Sequence, residues 1–538
     1  MPEKSNKQSK AHQWYEGAVI YQIYPRSFQD TTGNGVGDLQ GVIDRLDYLN
    51  DGRGGGLGVD AIWLSPIYPS PMIDFGYDVS DYCDIDPLFG SLDIFDNLID
   101  QAHQRGIKVL IDFVPNHTSD KHPWFEQSRS AKTSDKRNWY VWRDGKPGGG
   151  PPNNWLSVFG GSAWQYDRHT KQYYLHSFLK EQPDLNWENP QVRHAIAEAM
   201  RFWLKRGVDG FRIDATDHIG KQANMNDEPR NQAYSTTHDP YDVLEHIYSK
   251  NAGNYHKHMH FLASVLAHHP EKIAIFETWM QGQRKTQLLL DFYEHMPKPN
   301  AMPFNFELMD TPWEAHAIKR RIDTFQSGLT DNHLPVYVLS NHDRKRFPSR
   351  LGEDVCASAA ALELTLPGIA LVYYGDEIGM KDITVKPEDM QDPFGRRHPE
   401  YGRDGCRSPM QWDSATHAGF SDAKPWLPVH ESFGVFNVVA QSNDNSSLLA
   451  TYQALIRLRR EYPPLRIGRY IPVLAGEEGV LVFDRATDDA VIRVLINFTN
   501  EPKELLHSEA RGTVLFSTHR QGSGNFQLQP HEAKIIKR

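Results

Sequence analysis

The stretch NPQVRHAIAEAMRFWLKRGVDGFRIDATDH, residues 189–218, decides how this chain folds. Asn189 is a favoured helix cap, and Pro190 suits the first helical position, where a missing N–H costs nothing. Apolar residues then recur at helical spacing through Trp203 and Leu204, and Gly207 closes the helix. VDGFRIDA follows, a short apolar run that ends in charge. A capped helix feeding a strand apolar on both faces is half of a parallel βα unit. The end of that strand raises the functional question. It holds Arg212, Asp214, Asp217 and His218, with a small Ala215 directly after Asp214.

Seven other segments repeat the pattern: AVIYQIYPRSF, DAIWLSPIY, IKVLIDFVPNH, KIAIFETW, MPFNFEL, LPVYVLSNHD and IALVYYGDEIG. Eight strand–helix units predict an α/β fold, a (β/α)8 TIM barrel. The gap between the third and fourth strands is too long for one helix, and GKPGGGPPNNW lies within it. An inserted lobe is therefore expected at about 118–185, leaving the barrel as 13–117 and 186–465. A second insertion, about 380–430, follows the eighth strand. After PPL the pattern changes to alternating strands, so 466–538 reads as a C-terminal all-β sandwich domain. Residues 1–12 read as a disordered polar tail.

The 538 residues carry a net charge of −11, with a pI of about 6.1. That balance argues against nucleic acid or an anionic membrane as partner, because phosphate binding needs clustered cations. The three cysteines, Cys83, Cys356 and Cys406, have no paired spacing for a disulfide framework or a thiolate metal site. No secretory signal and no run of about 18 apolar residues is visible, so a cytoplasmic protein is expected. No organic cofactor is called for, and the expected assembly is a monomer or homodimer.

Polar residues collect where the predicted strands end, which in a barrel is the catalytic face. They are Asp112, Asn116 and His117; Arg212 and Asp214; Glu277; and Asn341, His342 and Asp343. Arg212 and Asp214 are two apart on a strand and share a face, so the guanidinium should favour an ionised Asp214. Asp112 reads as support inside the barrel, and Asp217 as the N-cap of the next helix. The histidines of HKHMHFLASVLAHHP, including His256 and His260, read as a solvated helix face rather than a metal site.

DFVPNHTS, QPDLNW, GFRIDATDH, FETW, SNHDR and RDGCRSPMQW, in that order, resemble the motifs of glycoside hydrolase family 13. The pattern is most similar to its α-glucosidase and oligo-1,6-glucosidase branch, and it covers nearly the whole chain. The resemblance implies a retaining double displacement on short oligosaccharides. Asp214 would be the nucleophile, Glu277 the acid/base and Asp343 a third carboxylate holding sugar hydroxyls. The first two should stand about 5–5.5 Å apart. Crowded carboxylates raise one another's pKa, which would help keep a proton on Glu277. His117 and His342 match hydroxyl ligands, Tyr77 an aromatic platform, and Phe159 and Phe178 pocket walls. Asp74 and Arg407 match a pair that closes the far end of the pocket, which favours attack on terminal sugars.

One structural Ca²⁺ or Mg²⁺ is also implied, by likeness to a D-x-N-x-D-x-I-x-D loop. Here the positions are Asp30, Thr32, Asn34, the Val36 carbonyl and Asp38, with one negative charge fewer than in relatives. Ala215 occupies a position where Val accompanies α-1,6 and Thr α-1,4 preference, and Ala accompanies α-1,4 or mixed preference. The expected function is thus an exo-acting α-glucosidase favouring α-1,4 linkages, with transglucosylation as a side activity. The alternatives are an oligo-1,6-glucosidase or a sucrose-active enzyme. A non-catalytic transporter subunit fits poorly with a complete carboxylate triad.

Overall fold

Each of the eight apolar runs forms a strand in the computed structural model, which describes residues 12–235, 239–279, 285–296, 300–519 and 526–538. The strands are Val19–Ile23, Ala61–Leu64, Lys108–Phe113, Gly210–Ile213, Ile273–Phe276, Ala301–Pro303, Val336–Val338 and Ile369–Tyr373. All pair in parallel. The first strand lies between the eighth, with Val19 opposite Ala370, and the second, with Ile20 opposite Ala61. A single bridge between Asn305 and Tyr337 joins the sixth strand to the seventh and closes the ring. The strand residues are almost all buried, because helices cover the outside and side chains fill the bore. The sixth run yields the shortest strand together with the seventh. It stops at Pro303, which has no N–H for the ladder, and the chain turns into a 3-10 helix at Glu307–Met309.

The opening segment folds as its residues dictate. The helix spans Pro190–Lys205, and the Asn189 side chain accepts the Gln191 N–H at 2.9 Å. Val192, Ile196, Met200 and Trp203 form its buried stripe. Gly207 sits at φ +96°, a conformation L side chains rarely adopt, and it ends the helix. Gly210 starts the strand so close to the fifth strand that a Cβ would lie 2.4 Å from the Ile273 carbonyl oxygen.

The lobe after the third strand holds the helix Pro123–Ser130 and a three-stranded antiparallel sheet, with Gln172–Leu175 between Trp142–Arg143 and Trp164–Asp167. Bridges His117–Asp184 and Tyr140–Leu185 pin its base. It leans on the loop after the fourth strand: Trp155 Nε1 donates to the Asn226 carbonyl, and Asn154 Nδ2 to that of Glu228, both at 2.9 Å. Beyond the eighth strand, the chain runs through short 3-10 turns from Asp376 to Gly434. The C-terminal unit is a five-stranded antiparallel sheet, Arg469–Val473 through Ala533–Lys537, with a two-stranded companion. The expected start at 466 falls within the short helix Pro463–Ile467 that leads into it. Residues 1–11 of the expected N-terminal tail lie outside the described residues. Among the described residues, no helix is long and apolar enough to cross a membrane.

Candidate active site

Arg212 organises the catalytic end of the barrel. It projects from the fourth strand with 2% of its surface exposed, and three carboxylates converge on it. Its Nη1 donates to Asp112 Oδ1 at 2.7 Å and to Asp214 Oδ1 at 2.6 Å; its Nη2 lies 2.8 Å from Glu277 Oε2. Asp214 and Glu277 are therefore side by side on the two ends of one planar fork. The guanidinium lies against Trp63 and Tyr77, 5.1 and 5.7 Å from the ring centres.

Strand ends explain this convergence. Arg212 pairs in register with Asp112 on the third strand and with Ile275 on the fifth, which puts Glu277 just beyond the sheet. Ala215 then takes a left-handed conformation, φ 48° and ψ 37°, and its N–H turns back to Glu277 Oε2 at 3.0 Å. The other oxygen of Glu277 accepts the Trp279 indole N–H at 2.9 Å.

A second network holds Asp343 and the two histidines. His342 stacks flat on Tyr77, with ring centres 5.5 Å apart, and its Nε2 lies 2.6 Å from the Tyr77 hydroxyl and 3.1 Å from Asp343 Oδ2. Tyr77 donates its own proton to Asp112 Oδ2 at 3.0 Å, and Gln22 Nε2 donates to His342 Nδ1 at 2.8 Å. The network is satisfied with the His342 proton on Nε2. His117 lies 3.1 Å from the Tyr77 carbonyl oxygen and against the Phe178 ring at 5.1 Å. Phe159 meets Phe178 edge-on at 5.8 Å, so the two lobe aromatics lie together beside His117.

The far end of the pocket is built differently from the expectation. Asp74 pairs with Arg403, not Arg407: Arg403 Nη2 reaches Asp74 Oδ1 at 2.7 Å. Arg407 instead donates from Nε to the His342 carbonyl at 2.7 Å and from Nη2 to Asp343 Oδ1 at 3.0 Å. The cause is local. DGCR winds into one 3-10 turn, Asp404–Arg407, and so separates the two arginines of RDGCR. Arg403 is fixed in turn by Asp392, which accepts from its Nε at 3.0 Å, its Nη2 at 2.7 Å and its backbone N–H at 2.9 Å. Its guanidinium also lies 4.9 Å from the centre of the Phe159 ring. Arg403, Asp392 and Trp279 are the residues that sequence reasoning missed. Only the arginine that opens the RDGCRSPMQW motif hinted at the first of them.

Asp217 is also not the helix cap that was expected. It lies inside a 3-10 turn, Thr216–His218, with 2% of its surface exposed, and pairs with Lys250 Nζ at 2.7 Å. The helix Tyr255–Ser264 is only partly the solvated face anticipated. His256 stacks on His295 with ring centres 4.1 Å apart, and His258 is buried against Glu188 at 3.1 Å.

The electrostatics follow from burial. Burial pushes the Asp214 carboxyl well up, and Glu277, Asp112 and Asp343 add to that, while Arg212 opposes. Arg212 favours the ionised form of Asp214, in the expected direction, but one guanidinium is shared among three carboxylates out of water. Asp112 rises to about 6, again chiefly by burial and against Arg212. Burial works to raise Asp343 too, but His342, Arg407 and Arg403 hold it below the usual carboxylate range. His117 is lowered by burial to about 4, and His342 falls well below its usual value for the same reason. Both imidazoles are thus neutral at pH 7 and able to donate and accept hydrogen bonds.

The loop read as a cation site spends its oxygens on itself. Asp30 accepts from the N–H groups of Thr32, Gly33 and Gly35, and from Ser421 Oγ. Asp38 accepts from the Thr31 and Gly41 N–H groups and caps the helix Leu39–Asp44. Asn34 Oδ1 takes the Val36 N–H, and Thr32 Oγ1 turns to Asp30. Each of these side-chain acceptors is thus engaged within the loop itself, by its following helix or by Ser421. Among the described residues, no cluster of three or more His, Cys, Asp or Glu side chains could hold a metal.

Three carboxylates and neutral imidazoles at the C-terminal mouth of a (β/α)8 barrel, behind an ion-paired end wall, define a barrel glycosidase. The alpha-amylase catalytic domain family matches residues 22–468. The chain is 42% identical to a probable alpha-glucosidase of Rhizobium meliloti over 506 residues, covering 91% of this chain and 90% of that one. It is 36% identical to an oligo-1,6-glucosidase of Heyndrickxia coagulans, covering 97% and 99%. Among solved structures it resembles the alpha-glucosyl transfer enzyme XgtA, with a TM-score of 0.89, 37% identity and 98% and 99% coverage. It also resembles the trehalulose synthase MutB of Pseudomonas mesoacidophila MX-45, with a TM-score of 0.87, 31% identity and 98% and 100% coverage. The chain belongs to the alpha-amylase family, glycoside hydrolase family 13, and is a glucosidase of that family.

Proposed function

We propose that this enzyme is an exo-acting, retaining α-glucosidase that prefers α-1,4-linked disaccharides and short oligosaccharides. The observation that carries the reading is the pairing of Asp214 and Glu277 on the two nitrogens of Arg212. Two carboxyl groups held side by side suit a covalent displacement, in which one attacks carbon and the other handles the proton. Glu277 protonates the glycosidic oxygen while Asp214 attacks the anomeric carbon, and a glucosyl ester forms as the C–O bond to the leaving sugar breaks. Glu277, now a carboxylate, takes a proton from water, and the hydroxide adds to the anomeric carbon and releases Asp214. A sugar hydroxyl in place of water gives transglucosylation.

The surroundings support the charge that develops. With the proton on Glu277, the carboxyl groups of Asp74, Asp112, Asp214, Asp343 and Asp392 still outnumber Arg212, Arg403 and Arg407, and an excess of negative charge out of water favours an oxocarbenium-like transition state. Asp343, His117 and His342 are placed to hold hydroxyls of the reacting glucose. The Asp74–Arg403 pair closes the end and limits the pocket to a terminal sugar. Ala215 leaves room beside the leaving sugar, in keeping with α-1,4 preference.

A time course of hydrolysis followed by NMR tests the stereochemistry. α-Glucose appears first from a retaining enzyme; β-glucose first, or no hydrolysis of any α-glucoside by the pure protein, overturns the reading. A rate panel on maltose, isomaltose, sucrose and trehalose tests linkage. Ala215→Val should lower the maltose-to-isomaltose rate ratio, and an unchanged ratio would remove Ala215 from the specificity argument.

A further inference from the structure

Glu277 divides its partners unevenly between its two oxygens. Oε2 is held by the Arg212 guanidinium at 2.8 Å and the Ala215 N–H at 3.0 Å. Oε1 accepts the neutral indole N–H of Trp279 at 2.9 Å. An oxygen that already accepts from a cation and an amide is poorly placed to carry a proton as well, so the transferable proton belongs on Oε1.

Trp279 is itself held in place. Its ring lies flat on Phe306, with centres 4.1 Å apart and planes 9° from parallel. The stack continues inward through Phe304, 5.3 Å from Phe306, and on to Trp63, 5.7 Å from Phe304, which borders Arg212. The Arg344 guanidinium sits 4.8 Å from the centre of the Trp279 ring. A half-buried indole fixed by rings and a cation delivers its N–H in one direction at little cost in side-chain freedom.

We propose that Trp279 is a positioning residue for proton transfer: its indole N–H fixes the oxygen of Glu277 that hands the proton to the leaving group. The proposal rests on the reading of Glu277 as the acid/base. Trp279 acts through Glu277, so its removal matters most for leaving groups that need a proton.

Trp279→Phe keeps an aromatic ring for Phe306 and deletes the N–H. Its kcat/KM should fall roughly tenfold or more on maltose, whose leaving sugar needs protonation, and far less on α-glucosyl fluoride, whose leaving group needs little. Trp279→Tyr is the second variant and should show the same split. The fluoride rate and the melting curve report that each is folded. Equal losses on both substrates, or no loss on maltose, overturn the proposal. Glu277→Gln, assayed alongside, should lose kcat/KM on maltose and keep far more of it on the fluoride, while its kcat falls on both because water then lacks its base. If it shows no such split, the acid/base assignment of Glu277 fails, and that failure is visible separately from the behaviour of Trp279.

Discussion

Ala215 and Asp217 sit one and three positions from Asp214, and the structure separates them by what their atoms face. Ala215 adopts a left-handed conformation, as does Phe75 next to Asp74, with φ of 48° and 49°. Non-glycine residues avoid this region, so each site loop stores strain that tertiary contacts hold in place. Asp217 faces Lys250 in a buried pair. Asp214→Asn should therefore reduce kcat/KM by several orders of magnitude with little change in melting temperature. Asp217→Asn leaves a buried lysine with a weakened partner, which costs about 3–5 kcal/mol in comparable pairs. It should lower the melting temperature and leave kcat/KM near wild type. Comparable activity losses in the two variants would refute this division of roles. Arg403 supplies a test of the end wall. Lysine offers a point charge where Asp74 and Asp392 both use a fork. Arg403→Lys should raise KM for maltose roughly tenfold, with a smaller change in kcat; a KM within error of wild type would detach this pair from sugar binding.

At the level of elements, the loops do what the strands cannot. The segment after the eighth strand places Phe394 against Phe159 of the lobe at 5.3 Å, and Arg397 donates from Nη1 to the Phe159 carbonyl at 3.2 Å. Two insertions from distant parts of the chain thus roof the same pocket. The loop at Asp30–Asp38 instead ties the first strand's exit to Ser421 and to its own helix. Its carboxylates accept N–H groups of the loop and of the helix that follows. Melting curves with EDTA and with added Ca²⁺ or Mg²⁺ should superimpose, whereas a clear rise in melting temperature with either ion would show that the loop rearranges to bind it. The boundaries of the helix Pro190–Lys205 were foreshadowed in the sequence. Capped helices and Gly/Pro-rich insertions announce themselves over a few residues, as Asn189, Pro190 and Gly207 do.

For the whole molecule, the pH dependence of stability should reflect buried carboxyls behind the catalytic ring. Asp376 follows the eighth strand with 1% of its surface exposed. Burial, opposed by Arg346 and reinforced by Glu377, raises it to about 7. The unfolded chain returns it to about 3.9, so folding takes up a proton between these values. Its contribution is complete below about pH 4 and is lost as pH rises through about 7. The melting temperature should decline from pH 5 to pH 8, and Asp376→Asn should make that decline shallower; an unchanged slope would place the proton elsewhere. Two buried arginines tie distant segments together, Arg459 within the barrel and Arg485 between the C-terminal sheet and the barrel. Arg459 donates to the carbonyls of Gly17, Leu364, Leu366 and Gly368, and Arg485 to those of Gly468 and Thr365. The sequence alone determined the eight strands and the C-terminal sheet, and it marked charged residues at the strand ends, among which the family resemblance singles out three carboxylates. Each of these leaves a local signal, a short apolar run or a charged residue where that run ends. Only the tertiary structure decided that Arg403, 329 positions from Asp74, is its partner. It also decided that Trp279 touches Glu277 and that the Asp30 loop closes on itself. Such contacts depend on how barrel closure and a 3-10 turn aim side chains in space, and periodicity along the chain carries no record of that direction.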